Sequence, residues 1–154
     1  MSEAAEKRFG PRMHTAEHIV NQTMDRLYRC GRSFSAHIEK KKSKLDYHFD
    51  RALRDEEVRD LEKRVNAVIE GNLPVEEELI DREEAKSRFN LDRLPDDAGD
   101  RIRIIRIGDY DACPCIGPHV TRTGEVGPFR VISTSFEDGV LRIRYKLSPA
   151  SGAP

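Results

Sequence analysis

The chain has 154 residues, a length that suits one compact domain, and its net charge of −1 excludes the global basic field of a general nucleic-acid binder. Its three cysteines, an odd number with two of them one residue apart, argue against a disulfide framework and for a reducing compartment. No apolar run nears the roughly 18 residues of a membrane span, and Met1–Lys7 lacks the apolar stretch of a signal peptide, so a soluble cytoplasmic protein is expected.

In chain order, residues 1–10 read as a loose lead-in. A helix is predicted from Arg12 to Leu27, a stretch free of Gly and Pro. Met13, Ala16, Ile19, Val20, Met24 and Leu27 fall near helical period, Pro11 stands at the first turn and Gly31 marks the stop. Ser33–Glu39 and Leu45–Asp50 alternate apolar and polar residues as strands with one covered face, joined by a turn over Lys40–Lys44. A second helix is predicted from Arg54 to Glu70, with Val58, Leu61, Val65, Val68 and Ile69 as its core stripe. Pro74–Ile80 reads as extended. Asp81 then reads as the N-cap of a short helix through Phe89, with Glu84 completing a capping box. Leu91–Asp100 is an Asp-rich linker, and Arg101–Ile107 is a strand. Cys113–His119 carries two prolines and a glycine and is predicted to be a loop. Phe129–Phe136 and Val140–Lys146 form a hairpin across Glu137-Asp138-Gly139, and a disordered tail covers 148–154. This order of elements predicts an α+β fold, a mainly antiparallel sheet packed against a few helices, with a single domain over 11–147.

Two motifs carry chemistry. His14-Thr15-Ala16-Glu17-His18 places two imidazoles at i and i+4, on one helix face. Cys115-Ile116-Gly117-Pro118-His119 adds a thiol and a third imidazole at the same spacing on a stiff loop. Together they form a His/His/Cys/His set, the donor types that zinc prefers, so Zn2+ is the expected metal. The plainer alternative is a surface pair of His and a buried free Cys in a tight turn. Cys113 either substitutes as a ligand or packs, Cys30 is structural, and His37 and His48 lie on the polar faces of their strands. Glu17 reads as a solvated helix residue. His14-x-x-Glu17-His18 also spells the inverted zinc-protease signature, which would make Glu17 a base but would leave Cys115 and His119 without a role.

These residues resemble a known family. His14-Thr15-Ala16-Glu17-His18, followed by a sheet region, is similar to the opening of the editing domain of alanyl- and threonyl-tRNA synthetases. Ile107-Gly108-Asp109-Tyr110 leading into Cys115-Ile116-Gly117-Pro118-His119-Val120, then Thr123-Gly124-Glu125-Val126, resembles that domain's second signature. The resemblance covers roughly residues 12–147 and extends to freestanding trans-editing proteins of the AlaX type. It implies hydrolysis of the ester that joins a wrong amino acid to the terminal ribose of tRNA, with the mischarged acceptor end as partner. The family's matching positions are His14, His18, Cys115 and His119, which bind zinc in alanyl-type members and can act without metal in threonyl-type members. The gap of Ile116-Gly117-Pro118 is closer to the threonyl Cys-Arg-Gly-Pro-His than to the alanyl Cys-Gly-Gly-Thr-His, whereas Ile102–Tyr110 looks more like the freestanding alanyl type. The candidate substrates are therefore Ser- or Gly-tRNA(Ala) and Ser-tRNA(Thr). Nothing resembles an aminoacylation domain, so the chain is not expected to charge tRNA.

Ester hydrolysis needs an activated water and a partner for the developing oxyanion. Zinc can serve both ends, but four protein ligands close a site that catalytic zinc usually leaves open. A metal-free route through a neutral His is the alternative. Two other functions fit the same residues: a non-catalytic zinc-binding module of this fold, and a metal-dependent esterase or amidase acting on small molecules. Lys40, Lys41, Lys42 and Lys44, with Arg26, Arg29 and Arg32, are local basic patches. They read either as solvated turns or as phosphate contacts.

Overall fold

Helix α1 (Glu3–Tyr28) sets the position of everything around the motifs. The structure, a computed structural model, describes residues 3–39, 41–91 and 99–148, with side chains from Gly10 onward. Of the expected disordered tail, Ser148 is instead held in place, its N–H bonded to the Pro128 carbonyl and its carbonyl to Arg12, whereas 149–154, Lys40 and most of the predicted linker lie outside the described residues. Gly10 breaks α1 with φ 79° and ψ 153°, a conformation that side chains with a Cβ rarely adopt. Pro11 therefore starts a fresh helical segment, as predicted. The stretch before the break, expected to be loose, is helical from Glu3.

Two antiparallel sheets flank this helix, so the α+β reading holds. The first runs β1 (Ser35–Ile38), β2 (Lys42–His48), β7 (Val140–Leu147) and β6 (Phe129–Glu137), in that spatial order. The second is β3 (Val75–Asp81), β4 (Arg101–Ile107) and β5 (Asp111–Pro114). Helices α2 (Asp55–Glu70) and α3 (Arg82–Arg88) complete the described elements, with a 3-10 turn at Thr123–Val126. The main core joins Met13, Ala16, Ile19, Val20 and Met24 of α1 to Leu61, Val65 and Ile69 of α2, and to the inner residues Leu45, Tyr47, Leu141, Ile143 and Tyr145 of the first sheet. These are the apolar positions that the helical and strand periods select. Asn21, buried on α1, accepts the Ser33 N–H at 2.9 Å and the Tyr47 hydroxyl at 2.8 Å, so its carbonyl is satisfied inside the core.

Several local expectations are corrected. Lys42 and Lys44 are not in a turn but in β2, which starts three residues earlier than predicted and pairs Lys42 with Lys146. Cys113 and Pro114 are not in a loop but in β5. Ile105 pairs with Cys113 and Ile104 with Pro114 at the margin of the second sheet, where a proline's missing N–H costs no ladder bond. Asp81 precedes α3 without a side-chain cap, and Glu84 bonds Arg88 one turn on at 2.7 Å, so no capping box forms there. Phe34, expected on the covered face, is 44% exposed and stacks on His48 at a centroid distance of 4.0 Å. The β6–β7 turn is as predicted, with Asp138 and Gly139 both at positive φ, the twist a tight hairpin needs.

On the outer face of the first sheet, buried Asp46 receives Arg142 Nε and Nη2 at 2.7 and 2.9 Å across the strand pair. Hydrogen bonding from Arg142 holds the Asp46 carboxyl below its usual 3.8. The stabilisation from this pair is in place above 3.8 and is lost as pH falls through the lower folded-state value. Asp46→Asn is expected to cost about 1–2 kcal/mol near neutral pH, read from the urea midpoint, with the gap between variant and wild type closing in acid. A gap that stays constant down to acid pH would place the loss in packing instead of charge.

Candidate metal and catalytic site

The two motifs meet. The ligating atoms of His14, His18, Cys115 and His119 all lie within 4.8 Å of one another, although about a hundred residues separate the pairs in sequence. The rings of His14 and His119 stack at 4.2 Å, and those of His18 and His119 cross edge to face at 4.5 Å. Helical spacing brings the first pair to one face of α1. The second pair is held by the strand that precedes it and by one arginine. Cys115 N–H bonds the Arg103 carbonyl at 3.1 Å, prolonging the β4–β5 ladder. The Arg103 guanidinium then donates from Nη1 to the carbonyls of Cys115 at 3.1 Å and Gly117 at 2.8 Å.

Each histidine is oriented by a second contact. His14 Nδ1 lies 3.0 Å from the Pro118 carbonyl, which can only accept, so Nδ1 carries the proton. Its Nε2 lies 3.2 Å from Cys115 Sγ. His119 Nδ1 is 2.9 Å from Thr15 Oγ1, which also takes the Val120 N–H at 3.2 Å. His119 Nε2 is buried with no hydrogen-bond partner among the described residues. His18 Nδ1 faces Asp111 Oδ2 at 3.7 Å. Asp111 is enclosed, and its other oxygen receives Gln22 Nε2 at 3.0 Å and the Arg32 guanidinium.

Electrostatics follow from these contacts. Burial pushes the Cys115 thiol up, but hydrogen bonding from His119, His14 and His18 outweighs it and brings the thiol down to about 2. Burial lowers His119 to about 3, against the pull of Cys115. Burial works against charge on His18, yet Asp111 and Cys115 raise it well above 6.5. Burial raises the Asp111 carboxyl, and His18 and Arg32 overcome this to lower it. At neutral pH the cluster thus holds a thiolate and a neutral His119, the ionic states that metal ligands require, while His18 holds a proton that a bound metal would displace. The donor set, its convergence within 4.8 Å and the carboxylate behind His18 fit a zinc ion.

The remaining candidates fall elsewhere. Cys113 is outside the converging set and is half-buried, and its thiol is pushed up by that burial. Cys30 sits at the end of α1, with Sγ 3.7 Å from the Met24 carbonyl. His37 and His48 are exposed, as expected. Glu17 is not a freely solvated residue: its side chain is 12% exposed, with a carboxylate oxygen 3.9 Å from His14 Nε2. Sequence reasoning missed Asp111, Thr15, Gln22, Arg32 and Arg103. Gln22 carried a readable signal, since it extends the His14, His18 stripe by one more turn. Asp111, among many acidic residues in a highly charged chain, carried none.

The chain is similar to known proteins over most of its length. Residues 102–144, which include Cys115 and His119, match the threonyl and alanyl tRNA synthetase second additional domain. The match takes in the second of the two motifs, in line with the resemblance drawn from the sequence. The alanine–tRNA ligase of Methanopyrus kandleri is 30% identical over 148 residues, covering 91% of this chain and 16% of the ligase. That of Halorubrum lacusprofundi is 36% identical over 143 residues, covering 90% of this chain and 15% of the ligase. The chain thus spans less than a fifth of the length of these relatives.

The thiolate state gives a direct test. In metal-stripped protein, alkylation of Cys115 by iodoacetamide is expected to run at one rate from about pH 5 to pH 8, because the thiolate is already formed. Cys113, raised by burial, is expected to react only as the solution becomes alkaline. Peptide mapping after a timed quench distinguishes the two, and a Cys115 rate that climbs with pH like an ordinary thiol would contradict the assigned ion pairing.

Proposed function

We propose that this domain is an aminoacyl-tRNA editing hydrolase that deacylates mischarged tRNA, with Ser- or Gly-tRNA(Ala) and Ser-tRNA(Thr) as the candidate substrates. The observation that carries the reading is the convergence of His14, His18, Cys115 and His119 in a chain whose residues 102–144 match the second additional domain. In this reading the four residues hold one Zn2+. When bound, the ion supplies Lewis acidity toward the ester carbonyl and makes water more acidic. The chain's own groups do the rest. Asp111 fixes the ring of His18, Thr15 fixes His119, and Arg103 fixes the Cys115–Gly117 backbone. Glu17, beside His14 Nε2, is a carboxylate placed to accept a proton from a water at the edge of the cluster.

A second reading is favoured by one feature. All four donors converge, and four protein ligands are the mark of a structural zinc site. The protein would then be a non-catalytic module of the same fold.

Metal content and deacylation, measured on one preparation, separate these readings. The protein is expected to hold about one zinc per chain, with occupancy lowered by Cys115→Ala or His119→Ala and unchanged by Cys113→Ala. Asp111→Asn is expected to weaken zinc affinity by about 10- to 100-fold without removing a ligand. Of seryl-, glycyl- and alanyl-tRNA, one is expected to release its amino acid far faster than it does in buffer. Release from none, in zinc-loaded protein that unfolds on chelation, would leave the structural reading standing alone. Equal activity on free aminoacyl esters would point to a small-molecule esterase or amidase.

A further inference from the structure

The outer face of the first sheet carries a charge pattern that the site does not use. Side chains at Lys42, Lys44 and Asp46 of β2, Arg142, Arg144 and Lys146 of β7, and Arg130, Ser133 and Ser135 of β6 alternate with the buried residues of the core, and so share the outer face. The register sets them in rows. Arg130 lies opposite Lys146, which lies opposite Lys42. The next row is Ser133, Arg144, Lys44 and His37. Neighbouring strands are about 4.8 Å apart and successive rows about 7 Å apart. Like charges directly opposite one another destabilise a sheet. Here three cations abut in one row and two in the next.

Acidic groups on this face are few: Glu39, beside Lys42 at the end of β1, pairs with His37 at 3.7 Å. Asp46 is committed to Arg142, and Glu137 sits at the far end of β6, opposite Val140. Among the described residues, Lys42, Lys44, Lys146 and Arg130 form no ion pair, and Arg144 reaches only the Ser133 hydroxyl, at 3.5 Å. The helices pack on the inner face, through the core. A nearly neutral chain has thus gathered five cations outside any ion pair on one open, hydroxyl-flanked surface.

We infer that this sheet face is a docking surface for the phosphate backbone of a tRNA stem. The choice of RNA among polyanions rests on the editing reading above. The surface itself rests on the cross-strand rows. A rigid row of Lys and Arg contacts phosphates without reading bases, and double-stranded RNA is recognised largely through shape and backbone. The face is formed by strands away from the His/Cys cluster, so it would hold the body of the substrate and leave the chemistry to α1 and the Cys115 loop. The lysines of β2, expected as a turn, become part of this surface.

The test uses uncharged tRNA, a fluorescent label and a salt titration. Replacing Lys42, Lys44, Arg130, Arg144 and Lys146 by Gln together is expected to weaken binding at least about tenfold at 0.1 M salt. The slope of log affinity against log salt should flatten by about one for each phosphate that is no longer neutralised. Replacing the three lysines by Arg is expected to preserve both. Removing only the row Arg130, Lys146 and Lys42 gives a smaller version of the same weakening, should the fivefold variant fold poorly. The thermal midpoint is expected to hold or rise, because like-charge repulsion is relieved. Unchanged tRNA affinity and slope in a folded variant would overturn the proposal. So would binding to phosphatidylserine vesicles that disappears in the variant while tRNA binding persists. Loss of tRNA binding in the variant, with no deacylation by the wild type, would keep the surface and remove the editing reading. Normal deacylation by a variant with normal binding would do the reverse.

Discussion

Asp111 holds a fully enclosed carboxylate, and three parts of the chain have to arrive together to keep it charged. His18 and Gln22 come from α1, Arg32 comes from the segment after it, and Asp111 opens β5. A carboxylate taken out of water is costly unless it is paired and hydrogen-bonded, and removal of one partner from such a group costs several kcal/mol, about 3–5 in measured cases. The pairing therefore works as a registration device. It sets the angle and height of α1 against the end of the second sheet. Neighbouring contacts reinforce it: Thr23 meets the Tyr110 hydroxyl at 2.5 Å, and Arg26 donates to the Tyr110 carbonyl at 2.6 Å and lies over its ring. Once α1 is registered, His14 and His18 have no freedom to miss Cys115 and His119.

The same registration explains how the fold tolerates a cluster that is unfavourable in its own right. A thiolate and three imidazoles crowd together in a half-buried place, with Cys115 Sγ 3.2 Å from His14 Nε2. Without constraint they would separate or take up protons. Pro118, Thr15 and Arg103 prevent this, each through a backbone or side-chain bond that does not involve the converging atoms. The supports sit one shell outside the donors, as metal sites generally require. Core packing on the opposite face of α1, through Met13, Ala16, Val20 and Met24, supplies the stability against which this strain is held.

How much of this was legible in the sequence depends on the range of the interaction. The i, i+4 spacing of His14 and His18 is a local property of a helix, and the Cys115/His119 pair is a local property of a short stiff segment, so each could be read directly. Strand and helix periods likewise marked Leu45, Tyr47, Leu61 and Val65 as core. That the pairs meet could be argued only from resemblance, since no local rule brings residue 14 to residue 115. Asp111 was invisible because nothing in its neighbours distinguishes a buried carboxylate from a solvated one. Pro114 hid β5, because proline argues against a strand unless the strand is known to lie at a sheet margin. Lys42 and Lys44 hid the start of β2, because a run of charge reads as a turn until the partner strand is known to be equally basic. In each case the deciding fact was a cross-chain neighbour.

The two sheets handle charge in opposite ways, and the contrast is informative because both belong to one nearly neutral chain. In the second sheet, acid meets base across the strands. Glu78 receives Arg106 at 2.7 and 2.9 Å, and Glu77 pairs with Arg103 Nε, while Arg103 Nη1 reaches into the Cys115 loop. There, charge is used internally, and part of it reaches the site through Arg103. In the first sheet, only Asp46 with Arg142 follows that rule, and the rows beside it set cation against cation. A sequence this rich in Glu and Asp had acids available for those positions. The acids that share the face, Asp46 with Arg142 and Glu39 with His37, leave the row of Arg130, Lys146 and Lys42 without a bonded partner among the described residues, so that row contributes repulsion that the rest of the fold has to offset.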